Sequence, residues 1–190
     1  MSTPTIDERT ALVLIDLQKG ILALPTVVPS DRIMMQGMRL ADAFHARNLP
    51  VVRVKVAWSA DGGDLPSTRV AKPGPTTAPP AEFGEFPAEF LPESDDIVIV
   101  KRHWGAFTGT ELDVQLRRRH ITQIVLAGIS TSIGVESTAR SAWEHSYNLT
   151  LVEDATTDVD ADSHTHSFNK IFPRIAEIAT TDQIITALQA

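Results

Sequence analysis

Three stretches of this sequence carry an apolar run into residues that can do chemistry. "ALVLID" closes on Asp16, "DIVIVK" closes on Lys101, and "QIVLAG" leads into the polar turn from Ser130 to Gly134. A carboxyl group, an amine and a turn of backbone amides suit proton transfer to a bound ligand whose charge the amine and the amides stabilise. An Asp and a Lys that meet away from water hold each other charged and can exchange protons with whatever binds beside them. Each also has a simpler account, since a charge at a strand end is commonly solvated or held in a structural ion pair. The turn divides in the same way. Gly134, read as opening a helix, offers amide donors that have no intrahelical partner and can receive an anion, or it simply permits a tight strand-to-helix turn. Spacing alone leaves both open.

These residues act together only if the chain brings the strand ends to one edge, and the surrounding pattern does that. Apolar runs at Ala11–Asp16, Val51–Trp58, Asp96–Lys101, Gln123–Gly128 and Leu149–Asp154 read as buried parallel strands, with a short sixth at Ile175–Thr180. Between them lie helical spacings: Ile33, Met34, Met38, Ala41 and Phe44 on one stripe, then "TGTELDVQLRRRH", which Thr110 could cap, and the stretch from Gly134 to Asn148. "DSHTHSFNKIF" and "TTDQIITALQ" supply two further helical segments. Strict alternation without repeats predicts a mainly parallel sheet with helices on both faces, a three-layer α/β/α sandwich. The prolines at 66, 73, 75, 79, 80, 87 and 92 make the region from Ala60 to Pro92 a long loop or flap. Ligands of such sheets bind outside the carboxyl ends of the strands, where Asp16, Lys101 and the Ser130 turn all fall.

Composition narrows the chemistry. The chain has 190 residues, 43% hydrophobic and 22% charged, which suits one domain spanning residues 1–190. A net charge of -7 with scattered Lys and Arg offers no basic stripe, so no nucleic-acid partner is expected. The N-terminus has neither the apolar core of a secretory signal nor the character of a transit peptide, and no apolar run reaches membrane-spanning length; a cytoplasmic protein without a membrane partner is expected. Cysteine is absent, which removes disulfides, thiolate metal sites and thiol nucleophiles together.

With Asp16 in "LVLIDLQKG" and Lys101 opening "KRHWGAFTGTELDVQLRRRHITQIVLAGISTSIGVESTAR", the chain resembles the isochorismatase-like hydrolase superfamily, which also holds nicotinamidases and carbamoylsarcosine amidases. The likeness runs over nearly the whole chain and is strongest from Ile97 to Arg140. It implies an Asp, Lys and Cys triad in the cysteine members, with Asp16 and Lys101 matching the first two and Gly134 standing at the cysteine position. A glycine offers no atom for a covalent thioester. The likeness is therefore nearer to the isochorismatases proper, which keep the acid and the amine, lack the cysteine and hydrolyse a vinyl ether. On that resemblance Asp16 is a general acid, Lys101 positions it and attracts substrate carboxylates, and Gly134 contributes only backbone. Trp104, Ser130 and Ile133 then complete the substrate-facing set, together with Gln18, which by its place two residues after Asp16 either orients water or substrate or lies at the surface. The resemblance further implies a non-proline cis peptide bond joining Ile129 and Ser130, a small-molecule substrate, no cofactor, and a homo-oligomer of two or more chains. A family member that has lost catalysis and serves as a small-molecule-binding or regulatory protein is the alternative.

The remaining polar groups add little. The loop after the second strand has Asp61 and Asp64 but no histidine, so no metal is expected there. "DVDADSHTH" resembles the start of a calcium loop, yet Ser163 and Asn169 stand where the loop's glycine and late glutamate belong. An acid-rich helix start is the better account, with His164 and His166 in the same solvated turn. Ser132 is read as capping the helix that follows, and a serine nucleophile lacks its elbow motif. Trp58, His103, Trp104 and Phe107 could line a pocket or a subunit contact, with core packing the simpler reading for Phe107. Arg53 and Lys55, unusual within a strand, could face a carboxylate or a neighbouring subunit.

Overall fold

The computed structural model describes residues 4–189. Six parallel strands form one sheet in the order β3-β2-β1-β4-β5-β6. They are β1 (Thr10–Ile15), β2 (Val51–Val56), β3 (Ile97–Lys101), β4 (Gln123–Ile129), β5 (Asn148–Thr157) and β6 (Glu177–Ala179). β1 is flanked on both sides and covered on both faces, so every residue in it is buried, which is why its sequence is a continuous apolar run rather than an alternating one. Its alternate side chains enter two cores: Ala11, Val13 and Ile15 on one face, Leu12 and Leu14 on the other.

Helices close both faces. On the Leu12 face, α2 (Ser30–His45) buries Ile33, Gly37, Leu40, Ala41 and Phe44, which lie on one stripe of the helix. It follows the short α1 (Lys19–Leu22), and α6 (Thr181–Gln189) adds Ile184 and Leu188 to the same core. On the Ala11 face, α3 (Leu112–Arg118) contributes Leu112 and Leu116, and α4 (Glu136–Glu144) contributes Ala139 and Ala142. The segment after α5 (Ala161–His166) completes that face with Phe168 and Phe172. Each fully buried Leu or Phe of this kind stabilises the fold by about 1.5–3 kcal/mol. The layered α/β arrangement expected from the alternating pattern is the observed one.

The strand order reverses between β1 and β4, and that pair opens the crevice in which ligands of such sheets bind. Close approach at this point depends on one glycine. Gly128 has φ 128°, and a Cβ built there would lie 2.1 Å from the carbonyl oxygen of Ile15. No side chain fits without moving the backbone of β1 next to Asp16.

Departures from the sequence reading lie where tertiary contacts override the pattern. β5 runs on to Thr157 through a register shift opposite Leu126 and Gly128, past the expected end at Asp154. The stretch expected as one helix from Asp162 is instead α5, a π-helical turn at Ser167–Ile171 and a 3-10 turn at Phe172–Arg174, where Pro173 cannot donate to a continuing helix. Thr110 accepts the amide of Leu112 at 3.2 Å, close to its expected capping role, although Glu111 is the residue that flanks α3. Arg53 faces a carboxylate: it is bonded to Asp96, to the Phe90 carbonyl at 3.2 Å, and stacks over the Phe90 ring at 4.2 Å.

Candidate active site

Asp16 is the first residue past β1 and has φ 53°, a left-handed backbone that Asp and Asn tolerate better than other side-chain-bearing residues. Its amide still donates to Val54 of β2 at 2.9 Å. The side chain is buried, with the residue 4% exposed, and Lys101 at the end of β3 is 2% exposed. β2 lies between their two strands, so the lysine side chain spans the end of β2 to reach the acid. Lys101 Nζ donates to Asp16 Oδ2 at 2.7 Å and to the His103 carbonyl at 3.2 Å.

Two opposed effects set the proton affinity of this acid. Burial, the larger, pushes the Asp16 carboxyl up to about 6, against the pull of the Lys101 charge and its hydrogen bond. The carboxyl oxygens are not equivalent. Oδ2 takes the lysine, whereas Oδ1 is buried without a hydrogen-bond partner. A proton on this carboxyl therefore belongs on Oδ1, because Oδ2 already accepts from an ammonium.

The turn after β4 supplies the third side of the site. The Ile129–Ser130 peptide bond is cis, in the position the family resemblance implies. Thr131–Val135 form a π-helical turn that runs into α4. Gly134 is thus the fourth residue of the turn rather than the opening residue of the helix, as the sequence suggested. A Cβ built on it would sit 3.0 Å from Ile15 Cγ2, 3.3 Å from Asp16 Oδ2 and 3.6 Å from the Trp104 carbonyl oxygen. The end of β1, the loop after β3 and the turn after β4 therefore converge on this backbone position. Thr138 of α4 ties the turn to the loop after β3, donating to the Gly134 carbonyl at 2.7 Å and accepting the Ala106 amide at 3.0 Å.

Several amides in the turn are already committed. Ile133 and Val135 donate to the Ser130 carbonyl at 3.2 and 3.1 Å. Ser132 donates through its amide and its hydroxyl to Asp158 Oδ2, at 2.7 and 2.8 Å. Ser132 is held by this buried acid and does not cap α4, because the helical backbone already begins before it. Ser130 and Ile133 are both partly exposed at the turn.

Other expected site residues divide. Gln18 is fully buried, and its side-chain amide donates to the carbonyls of Val56 and Phe83, each at 2.9 Å, and accepts the Val56 amide at 2.7 Å. Those bonds join the end of β2 to the flap, so Gln18 is a tether and not the substrate-facing residue expected. The flap itself is docked by the Lys19 amide on the Glu85 carbonyl at 2.9 Å and by the Phe83 ring over Gly20. Trp104 reaches the site through its backbone carbonyl, while the residue as a whole is 63% exposed. Trp58 Nε1 donates to the Arg102 carbonyl at 3.1 Å, and Phe107 stacks on His145 at 5.2 Å and packs against the core.

The loop aspartates are engaged within the chain: Asp61 accepts from Ser59 and Gly63, and Asp64 accepts from Ser59 and Arg102. Among the described residues no group of three or more His, Cys, Asp or Glu side chains is placed to hold a metal ion. Likewise no helix among them is long and apolar enough to cross a membrane.

Sequence reasoning missed Thr138, Asp158 and His164 as parts of this site, and included Thr131 only within the Ser130 to Gly134 turn. Asp160 does act as the expected acid at a helix start, accepting the Ser163 amide at 2.7 Å. His164, by contrast, is not in a solvated turn: its Nδ1 is 2.7 Å from the Thr131 hydroxyl and its ring packs on Phe168 at 4.9 Å. The acids Asp158, Asp160 and Asp162 after the fifth strand were the available signal, since the carboxyl end of a parallel strand leads to the same sheet edge as Asp16.

Comparison with known proteins agrees with this fold. The Isochorismatase domain model matches residues 10–183. An isochorismatase family protein of Escherichia coli O157:H7, YecD, is 46% identical over 182 residues, covering 95% of this chain and 97% of its own. The solved structure of an isochorismatase family protein from Burkholderia thailandensis superposes with a TM-score of 0.97 at 42% identity, covering 100% of both chains. N-carbamoylsarcosine amidase from Thermoplasma acidophilum superposes with a TM-score of 0.76 at 26% identity, covering 92% of this chain and 97% of its own.

Proposed function

The chain belongs to the isochorismatase family, and from that premise we propose that it hydrolyses a small vinyl-ether substrate by acid catalysis, with Asp16 as the acid and no covalent intermediate. The observation that carries this reading is the asymmetric carboxyl group of Asp16, buried, bound by Lys101 on Oδ2 and unpartnered on Oδ1. Protonation of carbon requires a carboxyl that still holds a proton on part of the molecules as pH approaches neutrality, which a value raised to about 6 supplies and a solvated aspartate, almost wholly ionised there, does not.

The chemistry follows from the two oxygens. Oδ1–H donates its proton to the terminal carbon of the enol ether, and the electron pair of the double bond forms the new C–H bond. Positive charge then develops on the ether-bearing carbon as an oxocarbenium ion. Water adds to that carbon and returns a proton to the Asp16 carboxylate, and the resulting hemiketal collapses to a ketone and an alcohol. Lys101 stabilises the carboxylate formed in the first step and attracts an anionic substrate. Gly134 admits the substrate beside Asp16, where a larger residue would fill the space. Substrate oxygen is received by amides of Thr131 or Gly134, since those of Ser132, Ile133 and Val135 are engaged.

With no cysteine in the chain, the covalent thioester route of the family's amidases has no nucleophile. The protein acts on small molecules without a cofactor in this account, and we expect it to work as a homo-oligomer in the cytoplasm. A panel of isochorismate, simple vinyl ethers and small amides tests the reading. Turnover is expected with isochorismate or a vinyl ether and not with amides. In deuterium oxide the ketone product should gain one deuterium on the carbon next to its carbonyl. Turnover of amides alone, or of nothing in the panel, would overturn it.

A further inference from the structure

The segment after β5 grips the substrate turn at two successive residues. Asp158, 1% exposed, takes the amide and hydroxyl of Ser132 on Oδ2, while its Oδ1 accepts the amides of Val159 and Asp160 at 2.8 and 3.3 Å. Asp160 in turn caps α5, and the His164 amide donates to the Asp160 carbonyl at 3.1 Å. One turn of helix thereby carries the imidazole to the Thr131 hydroxyl. Thr131 is fully buried, and His164 is the partner of its side chain among the described residues.

We infer that His164 is a positioning residue for the reaction: its Nδ1 accepts the buried Thr131 hydroxyl and fixes the turn that lies against Asp16. This rests on the reading that the turn receives substrate. The direction of the bond follows from the surroundings. Nε2 faces no protein partner among the described residues, and the half-buried ring leaves it within reach of water, so the ring proton is best placed there and Nδ1 is left as an acceptor. Burial also disfavours the charged ring, against the pull of Glu153 and Asp158, and only a neutral ring can accept. The Phe168 ring fixes the imidazole plane from the side. Without that acceptor the Thr131 hydroxyl is buried unpaired, and the turn relaxes to find another partner.

Asn and Leu at this position separate acceptor from bulk. Both have an atom at the δ1 position that His Nδ1 occupies, but only the Asn Oδ1 accepts a hydrogen bond. His164→Leu is expected to lower kcat/KM for isochorismate by about tenfold, mainly through kcat, since misplacing a contact by a fraction of an ångström has effects of that order. His164→Asn is expected to restore most of it. Independently of turnover, the backbone amide resonances from Thr131 to Gly134 should move in His164→Leu and stay near their wild-type positions in His164→Asn. Thr131→Val should shift the His164 Nδ1 resonance. Equal displacement of the turn amides in both variants, displacement in neither, or a protonated Nδ1 in the wild type would overturn the inference. Failure of the wild type on every vinyl ether would instead count against the proposed reaction, with the resonances still deciding the role of His164.

Discussion

Asp16→Asn is expected to lower kcat/KM for isochorismate by about 10³-fold while leaving the fold intact. Loss of a positioned acid typically removes between about 10² and 10⁴ in rate, and among the described residues only Lys101 is hydrogen-bonded to the carboxyl oxygens. The substitution isolates the proton from the structure. Asn has the shape of Asp, tolerates the left-handed backbone at φ 53°, and its side-chain oxygen can still accept from Lys101. Its amide cannot deliver a proton to carbon. The comparison is made on purified proteins with matched circular dichroism and melting curves. A folded variant that retains more than about a tenth of the wild-type rate would remove Asp16 from the chemistry.

Lys101→Met is expected to reduce kcat/KM by about 10²-fold and to move the descending limb of the pH–rate profile upward. The sign follows from the two effects on Asp16. A protonated acid is the active form, so the wild-type rate falls as pH rises through about 6, where the carboxyl loses its proton. Lys101 favours the charged carboxylate and so lowers that value, while burial raises it. Removing the amine leaves burial unopposed, and Asp16 then keeps its proton to higher pH. The rate still drops, because Oδ2 loses its donor and the developing carboxylate its countercharge. A limb that stays in place, or moves to lower pH, would show that Lys101 does not act on this acid.

What could be read from the sequence was what depends on chain-local pattern. Asp16 and Lys101 each end an apolar run, and parallel strands put such ends on one edge, so their meeting followed from topology without any side-chain detail. The turn at Ser130 was located for the same reason, at the end of β4. Gln18 was misread because polarity near a strand end suggests a ligand contact, whereas its amide replaces backbone partners that β2 and the flap would otherwise lack. His164 was misread for a related reason. An acid-rich helix start looks solvated, and only the register of β5 against β4, with its shift near Gly128, brings the following segment onto the turn. The helix start at Gly134 was misplaced by several residues because a π-helical turn leaves no distinctive signature in the residues that form it.

Titration of the Asp16 carboxyl carbon by NMR in the wild-type protein, from about pH 4 to about pH 8, shows whether this acid has a proton to give. A midpoint near 6, raised by burial, is expected, with isochorismate turnover lost over the same interval. A midpoint at or below the ordinary 3.8 would mean that Lys101 outweighs burial and that the site holds a carboxylate with no proton to give.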